Sequence, residues 1–568
     1  MRLKILRSIV FILLLMIAGN LFYAQVIRGW YYYALSMRNR IRVVPLEGVR
    51  GRIFDRKGEI LADNQLTFNV SIVPQDIDDR RVLFDYLAKV IHVDSKELEQ
   101  RFKRKFLTPF APVVIAQDVP RDVAIEIEEN KFRFSGLMIE ESYRRIYPQG
   151  SIGAHVLGYV GKISRAKMEQ FKDYGYTMQS IVGYSGIEEF YDDELRGDSG
   201  GRQIEIDNRG QEVRILGLRN PSVGKDVVLT IDHRIQEISD ELLQGRRGVV
   251  IVMDMDNGEI FSMVSSPSYD PNDFVEANQR DQIDHYFHDA ASPLLNRAIK
   301  GQFPPGSAFK IPVAIAALET GEISRNTTFV CPGYYAIADL KFGCSHVHND
   351  QNLIQALAHS CNVYFFHTGL LVGSDEARRF ARMLGLATKT NIDLPFEGEG
   401  AVPSKGLRHR GKWYTGDTLN FSIGQGGVLA TPVQLLKMMS IVANRGKVVQ
   451  PHLIQSIDGH AMNQYTKFTE IKLNPKTYDI LEDGLRNVVE DSTGTANALF
   501  IPELKSFGKT GTAQAGGNRD DHAWFVGYTK SVNRKIAYCV FLENGGSSHN
   551  AVVLAHELLL RMRGIGII

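Results

Sequence analysis

The sequence predicts an α+β multidomain protein with an N-terminal transmembrane helix, an elongated α+β pedestal and a C-terminal domain that combines an antiparallel sheet with a helical subdomain. Three observations predict this organisation. An uncharged stretch near the N-terminus reaches the length of about 20 residues that a helix needs to cross a bilayer. The chain of 568 residues is too long for one ordinary hydrophobic core. The pattern of strands and helices changes near residue 225, so we expect parts at residues 1–30, 31–225 and 226–568.

The predicted transmembrane helix contains the uncharged stretch 8–27. Arg2, Lys4 and Arg7 precede this stretch, which predicts a cytoplasmic N-terminus, and the aromatic cluster 30–33 follows it as an interfacial belt. A cleaved signal peptide is the alternative. It is disfavoured because the apolar run exceeds a typical signal-peptide core and no small-x-small site precedes the bulky aromatic cluster. We therefore expect an uncleaved anchor, with the rest of the chain outside the cytoplasm.

Residues 31–225 mix short strands with charged helices. In residues 50–62 (RGRIFDRKGEILA), apolar and polar residues alternate around Lys57-Gly58, which predicts two strands joined by a turn. The run 68–73 is strand-like, and residues 81–104 form a charged helical stretch. Because no catalytic combination of residues occurs here, we interpret this part as a pedestal.

The C-terminal part begins with a strand-like run, DVVLTID, followed by a charged helix. Asp256-Asn257-Gly258 lies between two alternating runs and predicts a hairpin. Helical patterns cover four ranges in the middle of this part: Ile311–Leu318, Leu353–Leu371, Asp375–Leu384 and Pro432–Asn444. Strands return near residues 535–542.

Charge excludes one class of partner. The 66 Lys and Arg residues nearly balance the 65 Asp and Glu residues, which leaves a formal net charge of +1. No bulk electrostatic field therefore favours nucleic acid as a partner.

A first chemical motif is PPGSAFK, in which Ser307 begins an apolar helical run after a Pro-Pro-Gly loop. Lys310 follows one helical turn later, so a desolvated lysine amine could take the proton of the serine hydroxyl. Alone, the motif also fits a capped helix with a surface lysine. Pro312 lies inside the expected helix and is predicted to bend it.

Two further motifs follow in the chain. Ser360-Cys361-Asn362 places two short polar side chains around one residue between helical segments, although an Asx or Ser turn would have the same sequence. Lys509-Thr510-Gly511-Thr512 precedes a strand-like run and predicts an edge strand that a substrate backbone could join. Its ammonium and hydroxyls could hold a carboxylate, and the N–H groups of Thr512 and Ser307 could form an oxyanion hole.

In this order, the three motifs resemble the S-x-x-K, S-D-N and K-T-G set of penicillin-binding proteins and class A β-lactamases. Similarity to class B penicillin-binding proteins extends over nearly the whole chain, through the segments RGRIFDRKGEILA, GYSGIEEFYDDELRG with Glu188, NRAIKGQFPPGSAFK, SIGQGGVLATPVQ and GKTGTAQ. The resemblance implies an anchor in the inner membrane, a pedestal, and a penicillin-binding/serine β-lactamase-like transpeptidase domain in the periplasm.

The resemblance also implies roles for the matched residues. Ser307 would be the acylated nucleophile and Lys310 its base. Ser360 and Asn362 would complete the catalytic set. The substrate-binding residues would be Lys509, Thr510, Gly511 and Thr512. The implied reaction is cross-linking of peptidoglycan stem peptides by a D,D-transpeptidase, which needs no cofactor and which β-lactams would trap.

Three of the four cysteines cluster around the second motif. Cys331, Cys344, His348 and Cys361 have the pattern C-x12-C-x3-H-x12-C, which suits tetrahedral zinc. A Cys331–Cys344 disulfide is the alternative in an oxidising compartment, and His346 and Asp339 are rival ligands. Cys539, in a strand, is expected to be an ordinary buried thiol. The cluster resembles elongation-type class B proteins, in which a metal can lie beside the active site; this favours structural zinc.

The resemblance to the elongation type implies partners: a SEDS-class (RodA-like) glycosyltransferase and the rod complex in the membrane. Three other enzyme assignments stay open: a division-type class B transpeptidase, a D,D-carboxypeptidase and a β-lactamase. A β-lactam sensor or catalytically silent scaffold is the non-enzymatic alternative. A sensor would need a cytoplasmic output domain, and a silent scaffold would be expected to lack Ser307 or Lys310.

Overall fold

A computed structural model describes the chain except for Met1 and residues 34–40, 47, 107–108, 110–111, 172–175, 177–179, 207–211, 277–278, 406–411 and 532–533. The chain divides into two compact units. The first comprises residues 1–50, 64–144 and 196–224, and the second comprises residues 51–63, 145–195 and 225–568. The second unit is therefore built from three separate segments of the chain.

The helices, in chain order, are α1 (Arg2–Phe22), α2 (Arg80–Ile91), α3 (Ser95–Lys105), α4 (Arg121–Asn130), α5 (Ala154–Leu157), α6 (Arg165–Gln170), α7 (Gly186–Phe190), α8 (Asp192–Leu195), α9 (His233–Leu243), α10 (Arg280–His288), α11 (Lys310–Glu319), α12 (Leu353–Ala358), α13 (Asn362–Met383), α14 (Thr415–Ser422), α15 (Pro432–Ala443), α16 (Pro475–Glu490) and α17 (Ser548–Gly564).

The strands are β1 (Ile41–Leu46), β2 (Ile53–Phe54), β3 (Ile60–Ile72), β4 (Val113–Val119), β5 (Leu137–Ile146), β6 (Val160–Lys162), β7 (Ile181–Gly183), β8 (Gly200–Ile206), β9 (Glu212–Arg219), β10 (Val227–Leu229), β11 (Gly248–Asp254), β12 (Ile260–Ser266), β13 (Phe329–Cys331), β14 (Tyr334–Ile337), β15 (Leu340–Gly343), β16 (Asn349–Gln351), β17 (Lys447–Val448), β18 (Ile454–Ile457), β19 (His460–Ala461), β20 (Thr469–Glu470), β21 (Lys505–Ala513), β22 (His522–Lys530) and β23 (Lys535–Leu542).

Helix α1 and the π-helical turn that continues it form the predicted apolar helix. The apolar span Leu3–Ile27 has 25 residues and a mean hydropathy of 2.3, and none of its most apolar window is buried in protein. A helix that exposes apolar side chains all round is stable in lipid and unfavourable in water. Its length and composition suit a single-pass membrane anchor.

The first unit contains the antiparallel sheet β1-β8-β9, and strand β3 pairs with β4 and β5. Its core is apolar and includes Val70, Phe84 and Ile127, all fully buried. The stretch 81–104 is helical as predicted, but it forms two helices. His92, at φ 59°, ends α2, and the Asp94 side chain caps α3 by accepting two backbone N–H bonds.

Both predicted hairpins are present. Strand β2 pairs with the start of β3, and Gly58 in their turn has φ +88°, a conformation that favours glycine. Strands β11 and β12 pair around Gly258, which has φ +90°. Strand β2 also pairs in parallel with β10, so residues 51–63 contribute a strand to the second unit.

A five-stranded antiparallel sheet, in the order β12-β11-β23-β22-β21, forms the centre of the second unit. Successive side chains of a strand point to opposite faces, and both faces here are covered. Val250 and Val540 pack in the cluster that includes α9 and α17, while Val249 and Cys539 pack in the cluster that includes α11 and α15. Strand β21, which carries Lys509–Thr512, is at the edge of the sheet as predicted.

The predicted helices of the middle region are present, and one of them is broken. The expected helix 353–371 is interrupted between α12 and α13, and this break contains the second motif. Helix α13 then continues to Met383 through a kink at Gly373. Pro312 lies in the first turn of α11, where its missing N–H would have no intrahelical acceptor. The helix begins only two residues before Pro312, so the predicted bend inside a helix does not arise. A 3₁₀ turn at Gly306–Phe309 directly precedes α11.

Candidate active site

Ser307 lies in the 3₁₀ turn that leads into α11. In a 3₁₀ helix, side chains three residues apart are eclipsed, so this turn directs Ser307 and Lys310 to the same side. Ser307 is half-buried, while Gly306 and Ala308 on either side of it are buried. Gly306 has φ +52°, and a β-carbon there would come within 2.6 Å of the Thr512 carbonyl oxygen. The backbone next to the serine is thus packed directly against strand β21.

Lys310 is fully buried and points at the second motif. Its Nζ lies 2.7 Å from the Ser360 carbonyl oxygen, 3.2 Å from Ser360 Oγ and 2.8 Å from Asn362 Oδ1. Burial disfavours the ammonium form and lowers the pKa of Lys310 to about 8. At pH 7 about a tenth of this lysine is therefore in the neutral form that can accept a proton.

The break between α12 and α13 holds Ser360 in a left-handed conformation, with φ 53°. Such a conformation is uncommon for a residue other than glycine and tends to occur where function requires it. The bond from Lys310 to the Ser360 carbonyl helps to hold it. Cys361 then caps α13, with its sulfur accepting a bond from the Tyr364 N–H.

The third motif lies on strand β21, and its residues differ in how deeply they are buried. Lys509 is fully buried, and its burial together with the nearby Lys310 lowers its pKa well below the usual value. Thr510 is buried and Thr512 is exposed. At Gly511, a β-carbon would lie 2.7 Å from the Pro305 carbonyl oxygen. The glycine therefore lets the loop before Ser307 approach the strand closely.

The structure adds neighbours that the motifs did not indicate. The His359 ring contacts Gln351 Oε1 through Nδ1 at 2.8 Å and Thr493 Oγ1 through Nε2 at 3.0 Å. Thr495 contacts the Ala358 carbonyl and Thr510. Thr493 lies 134 positions after His359 in the chain, so this approach depends on the tertiary fold.

The four predicted metal ligands lie together beside the second motif. The ligand atoms of Cys331, Cys344, His348 and Cys361 are all within 4.8 Å of one another. His348 Nδ1 is 3.4 Å from Cys344 Sγ and 3.6 Å from Cys331 Sγ, and the Cys344 and Cys361 sulfurs are 4.0 Å apart. Ligands of tetrahedral zinc are about 3.6–3.8 Å apart, given the usual metal–ligand distances. These four side chains therefore fit zinc.

The alternatives at this cluster have less support in the structure. The rivals His346 and Asp339 are exposed and are not among the grouped ligands. All four cysteines are free thiols, and Cys539 is a fully buried one, as expected of an ordinary core thiol. The hydrogen bond that the Cys344 and Cys361 thiols share lowers the pKa of Cys344 and raises the pKa of Cys361. Cys344 is therefore the member of the pair that favours the thiolate, which is the metal-binding form of cysteine.

Comparison with known proteins agrees with this architecture. The penicillin binding protein transpeptidase domain matches residues 248–559, and the penicillin-binding protein dimerisation domain matches residues 45–229. The peptidoglycan D,D-transpeptidase MrdA of Haemophilus influenzae is 32% identical over 573 residues, which cover 95% of this chain and 88% of the relative.

Two solved structures are similar over most of the chain. The complex between penicillin-binding protein 2 and MreC from Helicobacter pylori has a TM-score of 0.83 and 29% identity, covering 93% of this chain and all of that one. A peptidoglycan synthase complex that coordinates polymerisation and crosslinking has a TM-score of 0.75 and 27% identity, covering 99% of this chain and 98% of that one.

The chain belongs to the penicillin-binding protein family, as a multidomain α+β member with a dimerisation domain and a C-terminal transpeptidase domain. Within that class it is of the elongation type, known as penicillin-binding protein 2. Its activity is that of a serine-type peptidoglycan D,D-transpeptidase. This function accords with the buried lysine and the three convergent motifs.

Proposed function

We propose that the chain cross-links stem peptides through an acyl-enzyme on Ser307, with Lys310 as the general base. The observation that carries this proposal is the environment of Lys310, which is fully buried and bonded to Ser360 and Asn362. A neutral amine has two hydrogens. These satisfy the two short contacts, to the Ser360 carbonyl and Asn362 Oδ1, and leave the nitrogen lone pair for the Ser307 hydroxyl.

In the acylation step, Ser307 Oγ attacks the carbonyl carbon of the penultimate D-Ala while Lys310 takes the hydroxyl proton. The backbone N–H groups of Ser307 and Thr512 stabilise the negative oxygen, since the two backbones pack against each other. The peptide C–N bond then breaks, and the departing D-Ala amine receives a proton through the Ser360 hydroxyl, which neighbours Lys310.

In the second step, an amine from a neighbouring stem peptide attacks the ester carbonyl and its proton passes to Lys310. The ester C–O bond then breaks, and Lys310 returns the proton to Ser307 Oγ, which restores the free serine. The edge strand β21 receives the donor peptide as an added strand, with the exposed Thr512 hydroxyl facing its terminal carboxylate. Lys509 of the same motif is fully buried. Penicillins enter the same route but leave a stable ester on Ser307.

Cys331, Cys344, His348 and Cys361 would hold a zinc ion, which would cross-link the segments that carry them. It would fix Cys361, which lies between Ser360 and Asn362, and so stiffen the turn that contacts Lys310. Acyl transfer itself needs no metal.

The membrane anchor places the transpeptidase in the inner membrane with a cytoplasmic N-terminus and a periplasmic catalytic unit. This orientation is supported by the basic residues before the apolar span. Residues 31–225 act as the pedestal that engages the rod complex, including a SEDS-class glycosyltransferase. In support, similar structures are a complex with MreC and a peptidoglycan synthase complex.

The test is labelling of the detergent-solubilised full-length chain by a fluorescent penicillin. Stable labelling is expected in the unaltered protein and in Ser151→Ala, which changes an exposed serine, but not in Ser307→Ala. A label that turns over quickly would instead indicate a β-lactamase. Labelling that persists in Ser307→Ala would refute the assignment of the nucleophile, and no labelling of the zinc-replete protein would favour a non-catalytic scaffold.

A further inference from the structure

The loop after α16, residues 491–495, connects two motifs that are far apart in the chain. Thr495 contacts the end of α12 twice: its N–H donates to the Ala358 carbonyl at 3.1 Å, and its hydroxyl donates to the same oxygen at 3.2 Å. Ala358 is two residues before Ser360. On the other side, the Thr510 hydroxyl donates to Thr495 Oγ1 at 2.9 Å.

One hydroxyl thus joins the second and third motifs. A threonine hydroxyl has one hydrogen to donate and two lone pairs that accept. Thr495 uses both functions, so the bonds run in one direction from Thr510 through Thr495 to Ala358. A chain of hydrogen bonds polarises each member and strengthens the whole.

We call the hydrogen bonds from Thr510 through Thr495 to Ala358 the relay. The burial of these three residues shows why the relay matters to strand β21. Ala358 and Thr510 are buried, whereas Thr495 is exposed. Thr510 as a whole is only 3% exposed, so without Thr495 its hydroxyl would lose its acceptor in a place that water reaches poorly. The strand would have to shift to satisfy it, and that strand packs against the loop of Ser307 at Gly511.

A second contact anchors the same loop next to the same turn. The Thr493 backbone and hydroxyl donate to Asp491 Oδ1 at 2.8 and 2.7 Å, and Thr493 Oγ1 also contacts the His359 ring. The loop is therefore held in a defined conformation beside Ser360, which makes Thr495 a fixed spacer between the two motifs.

We propose that Thr495 is a positioning residue for acyl transfer, whose hydroxyl sets the separation between the Ser360 turn and the substrate-binding strand β21. The proposal rests on the function proposed above, because it assigns how that site is aligned. Thr495 acts through Thr510 and Ala358. It needs no contact with the reacting atoms.

Thr495→Val tests this because valine keeps the shape of threonine and removes the hydroxyl, at an exposed position where the fold is little affected. Thr495→Ser is the matched control, because it keeps the hydroxyl and removes only the methyl group. Acylation of the full-length protein by fluorescent penicillin is followed in time over a range of concentrations. This separates the acylation rate constant from the affinity of the first complex, and melting temperature reports folding.

The expected result is an acylation rate constant about 10-fold lower in Thr495→Val, as small misplacements of catalytic groups produce, with full final labelling. Thr495→Ser should react at the unaltered rate. The relay is refuted if Thr495→Val reacts normally or if Thr495→Ser is equally slow. Should Thr495→Val fail to fold, Thr510→Val removes the donor half of the relay, and an unaltered acylation rate in it refutes the proposal.

A double variant and Ser307→Ala complete the design. If both changes break the same relay, the double variant Thr495→Val/Thr510→Val should be acylated no more slowly than the slower of the two single variants. If the two losses of rate multiply instead, the changes act independently and the proposal is overturned. Loss of labelling in Ser307→Ala depends only on the nucleophile. A failure of the proposed function is therefore distinguishable from a failure of the relay.

Discussion

The Asn362 side-chain amide links Lys310 to strand β15. Its Oδ1 is 2.8 Å from Lys310 Nζ, and its Nδ2 donates to the Gly343 carbonyl at 3.1 Å. Both ends of the amide are thus engaged, and the neutral oxygen rather than the NH₂ group faces the lysine. An acceptor without charge lets Lys310 lose its proton more easily than a carboxylate would.

Replacing Asn362 by aspartate should therefore slow acylation. A carboxylate at this distance stabilises the ammonium form and raises the pKa of Lys310 by about 1–3 units. At pH 7 the acylation rate constant should fall at least about tenfold, and the midpoint of its pH profile should move to higher pH. Asn362→Ala, which adds no charge, should not move the midpoint upward; an unchanged midpoint in Asn362→Asp would contradict this role of the amide.

The pH dependence of the unaltered protein follows from the same lysine. Its pKa is lowered to about 8 by burial, so the neutral, proton-accepting form increases as pH rises toward that value. The acylation rate constant should rise roughly tenfold from pH 6 to pH 7 and level off above about pH 8.5. Stopped-flow labelling with fluorescent penicillin between pH 6 and 9 measures this rate constant. A rate that falls as the pH rises would mean that the ammonium form of Lys310 is the active one.

Gly511→Ala should move the edge strand β21 away from the loop before Ser307. The added methyl group would lie 2.7 Å from the Pro305 carbonyl oxygen and 3.1 Å from the Trp524 β-carbon, so the strand or the loop must move. Acylation should fall by about 10- to 100-fold, as misplacement of about 1 Å does elsewhere. Gly564→Ala, in the last turn of α17 with open space around it, is the matched control and should label normally.

Removal of bound metal should weaken both stability and activity. The purified protein should contain about one zinc per chain, and a chelator should lower its melting temperature, since a metal that binds only the folded state stabilises that state. Cys344→Ser and His348→Ala should lower the zinc content, whereas His346→Ala, which alters an exposed neighbouring ring, should not. Chelation that changes neither melting temperature nor penicillin acylation would exclude a structural metal.

The sequence predicted the motifs and hairpins because these depend on residues close together in the chain. The Gly58 and Gly258 turns lie within local patterns, and the Cys3His spacing is short. Contacts between distant segments could not be predicted in this way. Glu188 has no local signal beyond its place in a segment that resembles the family, yet it forms a buried ion pair, with 2.7 Å between Arg145 Nε and Glu188 Oε1. The approach of Thr495 to Ala358 and Thr510 likewise has no local signal.

Two local predictions needed adjustment for physical reasons. The helix expected over residues 353–371 is broken because Ser360 adopts a left-handed conformation that its contact with Lys310 supports. Gly511 was expected to let a substrate lie alongside the strand, and the structure shows that it also accommodates the Pro305 carbonyl. In both cases a residue from a distant part of the chain determines the local backbone.

The pairing of β2 with β10 has a consequence for the order of folding during synthesis. Arg52 N–H donates to Asp226 Oδ1 across 174 residues of chain, and β2 lies beside β10 in parallel. At 5–20 residues per second, the ribosome needs roughly 9–35 s to make the intervening chain. Strand β2 must wait that long for its neighbour, and the central sheet waits longer for β21 to β23. The catalytic unit therefore completes its fold only after nearly the whole chain has been translated.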